Sequence, residues 1–284
     1  MMDIWYRLLE LLPFAWVEYG FMKNALLAVL IVTPCFGLAG TMVVANRLSF
    51  FSDVIGHSSL AGIAIGMVLG LADVRPAMII FAVFLAVAMN IFIELSGAAN
   101  DTVLGIILAA TTGLGVVLLS RGGSFNRYSD LIIGNILSVQ PREIVYLFIL
   151  FLVVAVFWVL FGGYLAILSV DPALVYDRRI SPFVVRTMFT VLIAVLVILS
   201  IRWIGVLIIN ALFIIPAAAA RLWSGSLRGY YAWSVLISMV SGVSGLVISF
   251  YWGSAAGATM VLCAVVIYIL SIVLKAVSRK MPFS

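Results

Sequence analysis

Charge is scarce in this sequence. Lysine and arginine together number 16 and aspartate and glutamate 11 among 284 residues, so 10% of the chain is charged. Soluble domains carry roughly 25% charged residues, and a chain with so few cannot cover a water-facing surface. Histidine occurs once, and the two cysteines, Cys35 and Cys263, each lie inside an apolar run. That leaves no disulfide framework, and it excludes a closed structural zinc site of four Cys or His ligands. No Gly-x-x-x-x-Gly-Lys-Ser/Thr phosphate loop is present. Any ATP-driven step must therefore be powered by another chain. His-Glu-x-x-His and Gly-x-Ser-x-Gly are missing as well, which argues against an intramembrane hydrolase.

What the chain has in quantity is apolar length. Hydrophobic residues make up 65% and the mean hydropathy is +1.30. No charge occurs from Ile144 to Val170, nor from Gly229 to Leu274. A bilayer core about 30 Å thick takes about 20 apolar residues per helix, and such runs recur along the chain. Barrel strands would alternate instead. The expected fold is an all-α polytopic membrane protein, with residues 1–284 forming a single transmembrane domain. The formal charge of +5 is dispersed at segment ends, where basic residues orient a membrane protein, so it does not point to nucleic acid.

Nine candidate spans can be marked, and eight if one segment is re-entrant. The first runs from about Asn24 to Ala45, and the second begins near Asp53. Pro76 opens the third, and Thr102 to Ser120 is the fourth. The stretch "RGGSFNRYSDLIIGNILSVQPRE" reads as a loop that dips back toward the membrane, before a fifth span from Glu143. "SVDPALVYDRRISP" is a polar connector. Phe183 to Ser200 is the sixth span, Arg202 marks a tight turn, and Trp203 to Ala220 is the seventh. "RLWSGSLRG" and "YWGSAAGA" bound the eighth and open the ninth. Residues 1–22 mix Asp3, Arg7, Glu10 and Glu18 with Trp5, Tyr6, Trp16 and Tyr19, which reads as a retained interfacial helix.

Orientation follows from the basic residues. A cytoplasmic C-terminus puts Lys275, Arg279, Lys280, Arg221, Arg228, Arg178, Arg179 and Arg186 inside and leaves only Arg202 outside in that half. The N-terminal half leans the other way, with Arg47 inside and Arg7, Lys23, Arg75, Arg121, Arg127 and Arg142 outside. An odd number of spans places the N-terminus outside.

Two constellations could carry function. In "SFFSDVIGHSSLAG", Asp53 and His57 stand four residues apart, on one helical face. Ionisable groups within spans are costly and normally face a polar pathway. One reading makes Asp53 a helix cap and His57 its packing partner. The other makes the pair a transient cation site, since carboxylate plus imidazole suits zinc, manganese or iron(II). Two ligands bind weakly, and an ion in transit must leave. The second constellation is "FIIPAAAARLWSGSLRGYYAWS", residues 213–234. Pro216 is expected to break or kink an apolar helix, followed by a short helix and turn with Arg221, Trp223 and Arg228. It is either an interface anchor or a docking element for a cytoplasmic partner.

These residues carry a family resemblance. "RLSFFSDVIGHSSLAGIAIG" resembles the Asp-x-x-x-His signature of the metal-ion permeases of ATP-binding-cassette importers. "IGVLIINALFIIPAAAARLW", "NDTVLGIILA", "LIIGNILSV" and "AAGATMVLCAVVIYILS" are similar to further segments of that family, in the same order, from about Lys23 to Lys275. The likeness is strongest to the zinc permeases, with manganese and iron relatives behind. Three departures stand out: Ala61 and Ala219 replace a family proline and threonine, and "WGSAAG" lacks an aspartate and a proline.

The resemblance implies a membrane subunit working as an obligate homodimer in the bacterial plasma (inner) membrane. Its implied partners are a cytoplasmic ATPase dimer and an extracytoplasmic metal-binding protein. It implies no enzyme activity and no intrinsic cofactor in this chain; the cargo is a divalent metal, zinc first, with manganese or iron(II) as alternatives. Asp53 and His57 match the ion path, and the segment after Pro216, with Arg221, Trp223 and Arg228, matches the helix that couples to the ATPase. Two rivals stay open: a permease for a metal chelate such as haem or a siderophore, and a secondary carrier that needs no ATPase.

Overall fold

The computed structural model describes residues 2–10, 13–122, 134–170 and 181–280. The connector carrying Arg178 and Arg179 and the loop segment carrying Arg127 lie outside the described residues. Among the described residues there are ten α-helices and no strands. They are α1 (Met2–Leu9), α2 (Gly20–Ala45), α3 (Phe51–Val68), α4 (Arg75–Ser96), α5 (Asn100–Gly122), α6 (Pro141–Val170), α7 (Pro182–Ile204), α8 (Val206–Trp223), α9 (Leu227–Trp252) and α10 (Ala256–Lys280). Short 3-10 turns occur at Ala15–Glu18 and Ile136–Ser138. Eight of the helices are long and apolar enough to cross a bilayer, α2 to α7 with α9 and α10. α8 contributes a shorter apolar stretch, Ile208–Trp223. The long, charge-poor runs thus became helices, as a backbone in lipid must satisfy its hydrogen bonds internally.

Three details differ from the expectation. The residues before α2 form a short helix and a separate 3-10 turn, not one interfacial helix. Trp5 Nε1 donates to the Lys23 carbonyl at 3.0 Å, Tyr6 Oη to Asn24 Oδ1 at 2.6 Å, and Lys23 Nζ pairs with Glu10 at 2.8 Å. Trp5, Tyr6 and Glu10 are thus spent on the start of α2. The break after the sixth span falls at Gly205, with φ 92° and ψ 149°, and Arg202 stays in the last turn of α7. Only glycine adopts such angles readily. Finally, Pro216 lies inside α8, which runs on to Trp223, so the proline does not end the helix.

The chain divides into two compact units. One comprises Met1–Thr41, Gly134–Val156 and Ala211–Ser284. Here serines of α9 tie it to α2, Ser234 Oγ donating to the Gly37 carbonyl at 2.7 Å and Ser238 Oγ to the Thr33 carbonyl at 2.8 Å. Phe36 of α2 and Phe213 of α8 pack with their rings tilted by 53° and their centroids 4.7 Å apart. Small and hydroxylated side chains at such contacts are the usual means of helix association where lipid removes the hydrophobic drive.

The second unit comprises Met42–Ile133 and Phe157–Asn210. Its central helix is α3, which packs against α4, α5 and α7. Phe51, Ile55 and Ile63 of α3, Met89 of α4, Leu104 of α5 and Phe189 of α7 are fully buried. Inside this core Asn90 of α4 donates from Nδ2 to Thr190 Oγ1 of α7 at 2.6 Å. A helix surrounded on most sides by apolar neighbours has no need of an amphipathic pattern, and α3 has none.

Candidate functional site

The site begins with how α3 starts. Just past the end of α2 stands Arg47 at φ 56°, with Leu48 N donating to the Val43 carbonyl and Arg47 N to the Val44 carbonyl. That pairing is a Schellman turn, and it lets α3 begin only four residues after Arg47. Asp53 then falls in the first turn of α3 and His57 one turn on.

α3 is buried along most of its length. Among its residues from Phe51 to Ala64, only Asp53, His57 and Leu60 are half-buried, and all the others are buried. Their spacing of four and seven residues puts them on one stripe. The single open face of the central helix is the one that carries the carboxylate and the imidazole.

Asp53 has a partner that the sequence reading did not single out. Asn210, in the second turn of α8, donates from Nδ2 to Asp53 Oδ2 at 2.9 Å. Its Oδ1 accepts a hydrogen bond from Ser52 Oγ. The approach is made possible by Gly56, where an added Cβ would stand 3.1 Å from a Val206 methyl. Together with the Gly205 joint, this brings the start of α8 against α3. A lone asparagine within "IGVLIINALFIIP" was the available signal, since a polar side chain in a span needs a partner.

No group of three or more His, Cys, Asp and Glu that could hold a metal occurs among the described residues. A metal held there would need ligands beyond Asp53 and His57 to complete its shell. Cys35 is buried and free, and Cys263 is half-buried and free.

The other set of expected residues surrounds the turn between α8 and α9. Pro216 is buried, while Arg221, Trp223 and Arg228 are exposed. Trp223 is 41% exposed and Leu227 42%. Ser226 Oγ caps α9 by accepting from Gly229 N at 3.1 Å, and Lys275 Nζ donates to the Leu222 carbonyl at 2.6 Å. A cation on the last carbonyls stabilises a helix C-terminus. A capped, short turn thus presents two arginines and two large apolar side chains outward.

The profile of the ABC 3 transport family matches residues 18–275. Over 253 residues the chain is 31% identical to the high-affinity zinc uptake system membrane protein ZnuB of Haemophilus influenzae, covering 87% of this chain and 95% of that one. It is 26% identical over 255 residues to the manganese transport system membrane protein MntC of Listeria innocua, covering 90% and 91%. Among solved structures, PsaBC from Streptococcus pneumoniae in complex with Fab matches with a TM-score of 0.76 and 26% identity, covering 95% of each chain.

Proposed function

The chain belongs to the ABC 3 transport family, and from that premise we propose that it is the permease subunit of an ATP-driven importer of divalent transition metal. Zinc is the first choice, because the relative at 31% identity is a zinc uptake protein. Manganese is the second reading, favoured by the manganese transport protein at 26%. The chain is a transport subunit, and ATP hydrolysis belongs to a partner ATPase. Two copies form the path in the bacterial plasma membrane, with the C-terminus in the cytoplasm. An extracytoplasmic protein hands over the metal.

The observation that supports this reading best is the open stripe of α3. The bilayer-spanning core of its unit is otherwise closed around that helix, and the face left open bears Asp53 and His57. The carboxylate oxygen and imidazole nitrogen take the ion briefly, with water or the second copy supplying further ligands. Residues 213–234, with Pro216, Arg221, Trp223 and Arg228, form the element that the ATPase moves.

The test is metal uptake by cells carrying Asp53→Ala or His57→Ala, with expression and ATPase assembly checked in parallel. Each is expected to lower zinc uptake at least tenfold at unchanged assembly, in line with the roughly 10–100-fold effect of disturbing a metal's surroundings. Wild-type uptake in both would remove the pair from the ion path. Elemental analysis of metal bound to the reconstituted complex decides zinc against manganese.

A further inference from the structure

We propose that Asn210 is a positioning residue that restricts Asp53 to one-oxygen coordination of the transported metal, with Ser52 locking the amide in place. This rests on the reading of Asp53 and His57 as ligands.

The geometry allows only one assignment of the amide. A carboxylate accepts hydrogen bonds and does not donate, so the NH2 of Asn210 must face Asp53, as it does at 2.9 Å. That directs the amide oxygen to the Ser52 hydroxyl, which donates to it. Ser52 is fully buried, so this bond is sheltered from water. Ser52 and Asp53 are consecutive on α3, and one side chain from α8 bridges both. The amide is therefore held at its two ends, and the carboxylate is held through it.

The consequence lies in which oxygen is left. The Asn210 N–H fills one lone-pair site of Oδ2 and fixes the plane of the carboxylate, which disfavours two-oxygen approach and leaves Oδ1 for the metal. Calcium takes six to eight oxygens and makes use of two-oxygen carboxylates. One carboxylate oxygen beside one imidazole nitrogen suits a smaller, borderline-soft ion. Asn210 thus serves affinity and selectivity together, without itself being a ligand. It also lies six residues before Pro216 on the same unbroken helix, so a shift of α8 alters its bond to Asp53.

The experiment is Zn2+ binding to the purified complex of the full chain with its ATPase, by competition with a chromogenic chelator, in the presence and absence of excess Ca2+. Asn210→Ala is expected to weaken Zn2+ binding roughly 10–100-fold, the range for outer-shell partners of metal ligands, and to make binding more sensitive to Ca2+. Ser52→Ala should act in the same direction and less strongly, because the amide is still present and is only free to rotate. A purely structural role predicts a lower melting temperature with Zn2+ affinity and Ca2+ sensitivity unchanged, and that result would overturn the proposal. If Asn210→Ala does not assemble, Ser52→Ala decides in the same terms. Asp53→Ala is measured alongside. If it leaves Zn2+ binding intact, the ligand reading itself fails; if it abolishes binding while Asn210→Ala and Ser52→Ala stay within threefold of wild type, only the role of Asn210 falls.

Discussion

Arg47 occupies the left-handed region, at φ 56°, in the turn that sets where α3 begins. For a residue with a Cβ that region costs roughly 1–2 kcal/mol, whereas glycine gives up about 0.5–1 kcal/mol more chain entropy on folding. Arg47→Gly is therefore expected to raise stability by up to about 1 kcal/mol, read as a higher melting midpoint of the purified protein. A lowered midpoint would mean that contacts of the arginine side chain outweigh the strain. At the same scale the sequence was uneven. Asp53 and His57 were legible, because rare ionisable groups at helical spacing stand out in an apolar chain. Asn210 was not, because one amide in an apolar run is an ordinary sight until the residue it bonds is known. Its partner lies 157 positions away.

At the scale of elements, the joint between α7 and α8 matters most. Gly205 holds φ 92° and ψ 149°, a combination that costs a residue with a Cβ roughly 1–3 kcal/mol. Gly205→Ala should lower the unfolding free energy by about that amount and weaken Zn2+ binding, because α8 would start from a shifted position and carry Asn210 with it. Measured metal affinity equal to wild type, despite a lower melting midpoint, would separate the joint from the site. The sequence pointed to a turn here but put it at Arg202. A charge in an apolar run suggests a boundary, yet an arginine in a last helical turn also suits the helix dipole. Backbone angles, not charge, decided where the helix stops. Of the break or kink expected at Pro216, the break does not occur, because α8 continues through the proline; proline is tolerated in an apolar helix where neighbours satisfy the freed carbonyl.

At the scale of the whole molecule, the proposed function requires one orientation in the membrane. The proposed arrangement puts the α8–α9 turn in the cytoplasm and the far end of α9 outside. Single cysteines at Gly225 and at Ser254, in a background with Cys35 and Cys263 replaced, test it. A membrane-impermeant maleimide should label Gly225→Cys only in inside-out vesicles and Ser254→Cys only in intact cells. The reverse pattern would turn the permease over and remove residues 213–234 from reach of any cytoplasmic ATPase. Both positions are exposed, so protection reflects the membrane and not burial.

Composition and hydropathy alone determined that the chain is helical and spans a membrane several times. Apolar runs of bilayer length admit no other satisfied backbone, and that condition is local and additive along the chain. Motif order likewise foretold the family. What only tertiary structure decided was which faces of those helices are closed and which polar atoms meet. Neither follows from any single segment. The open stripe of α3 exists because three other helices cover the rest of it, and the Asn210 grip on Asp53 exists because a glycine lets α8 draw near.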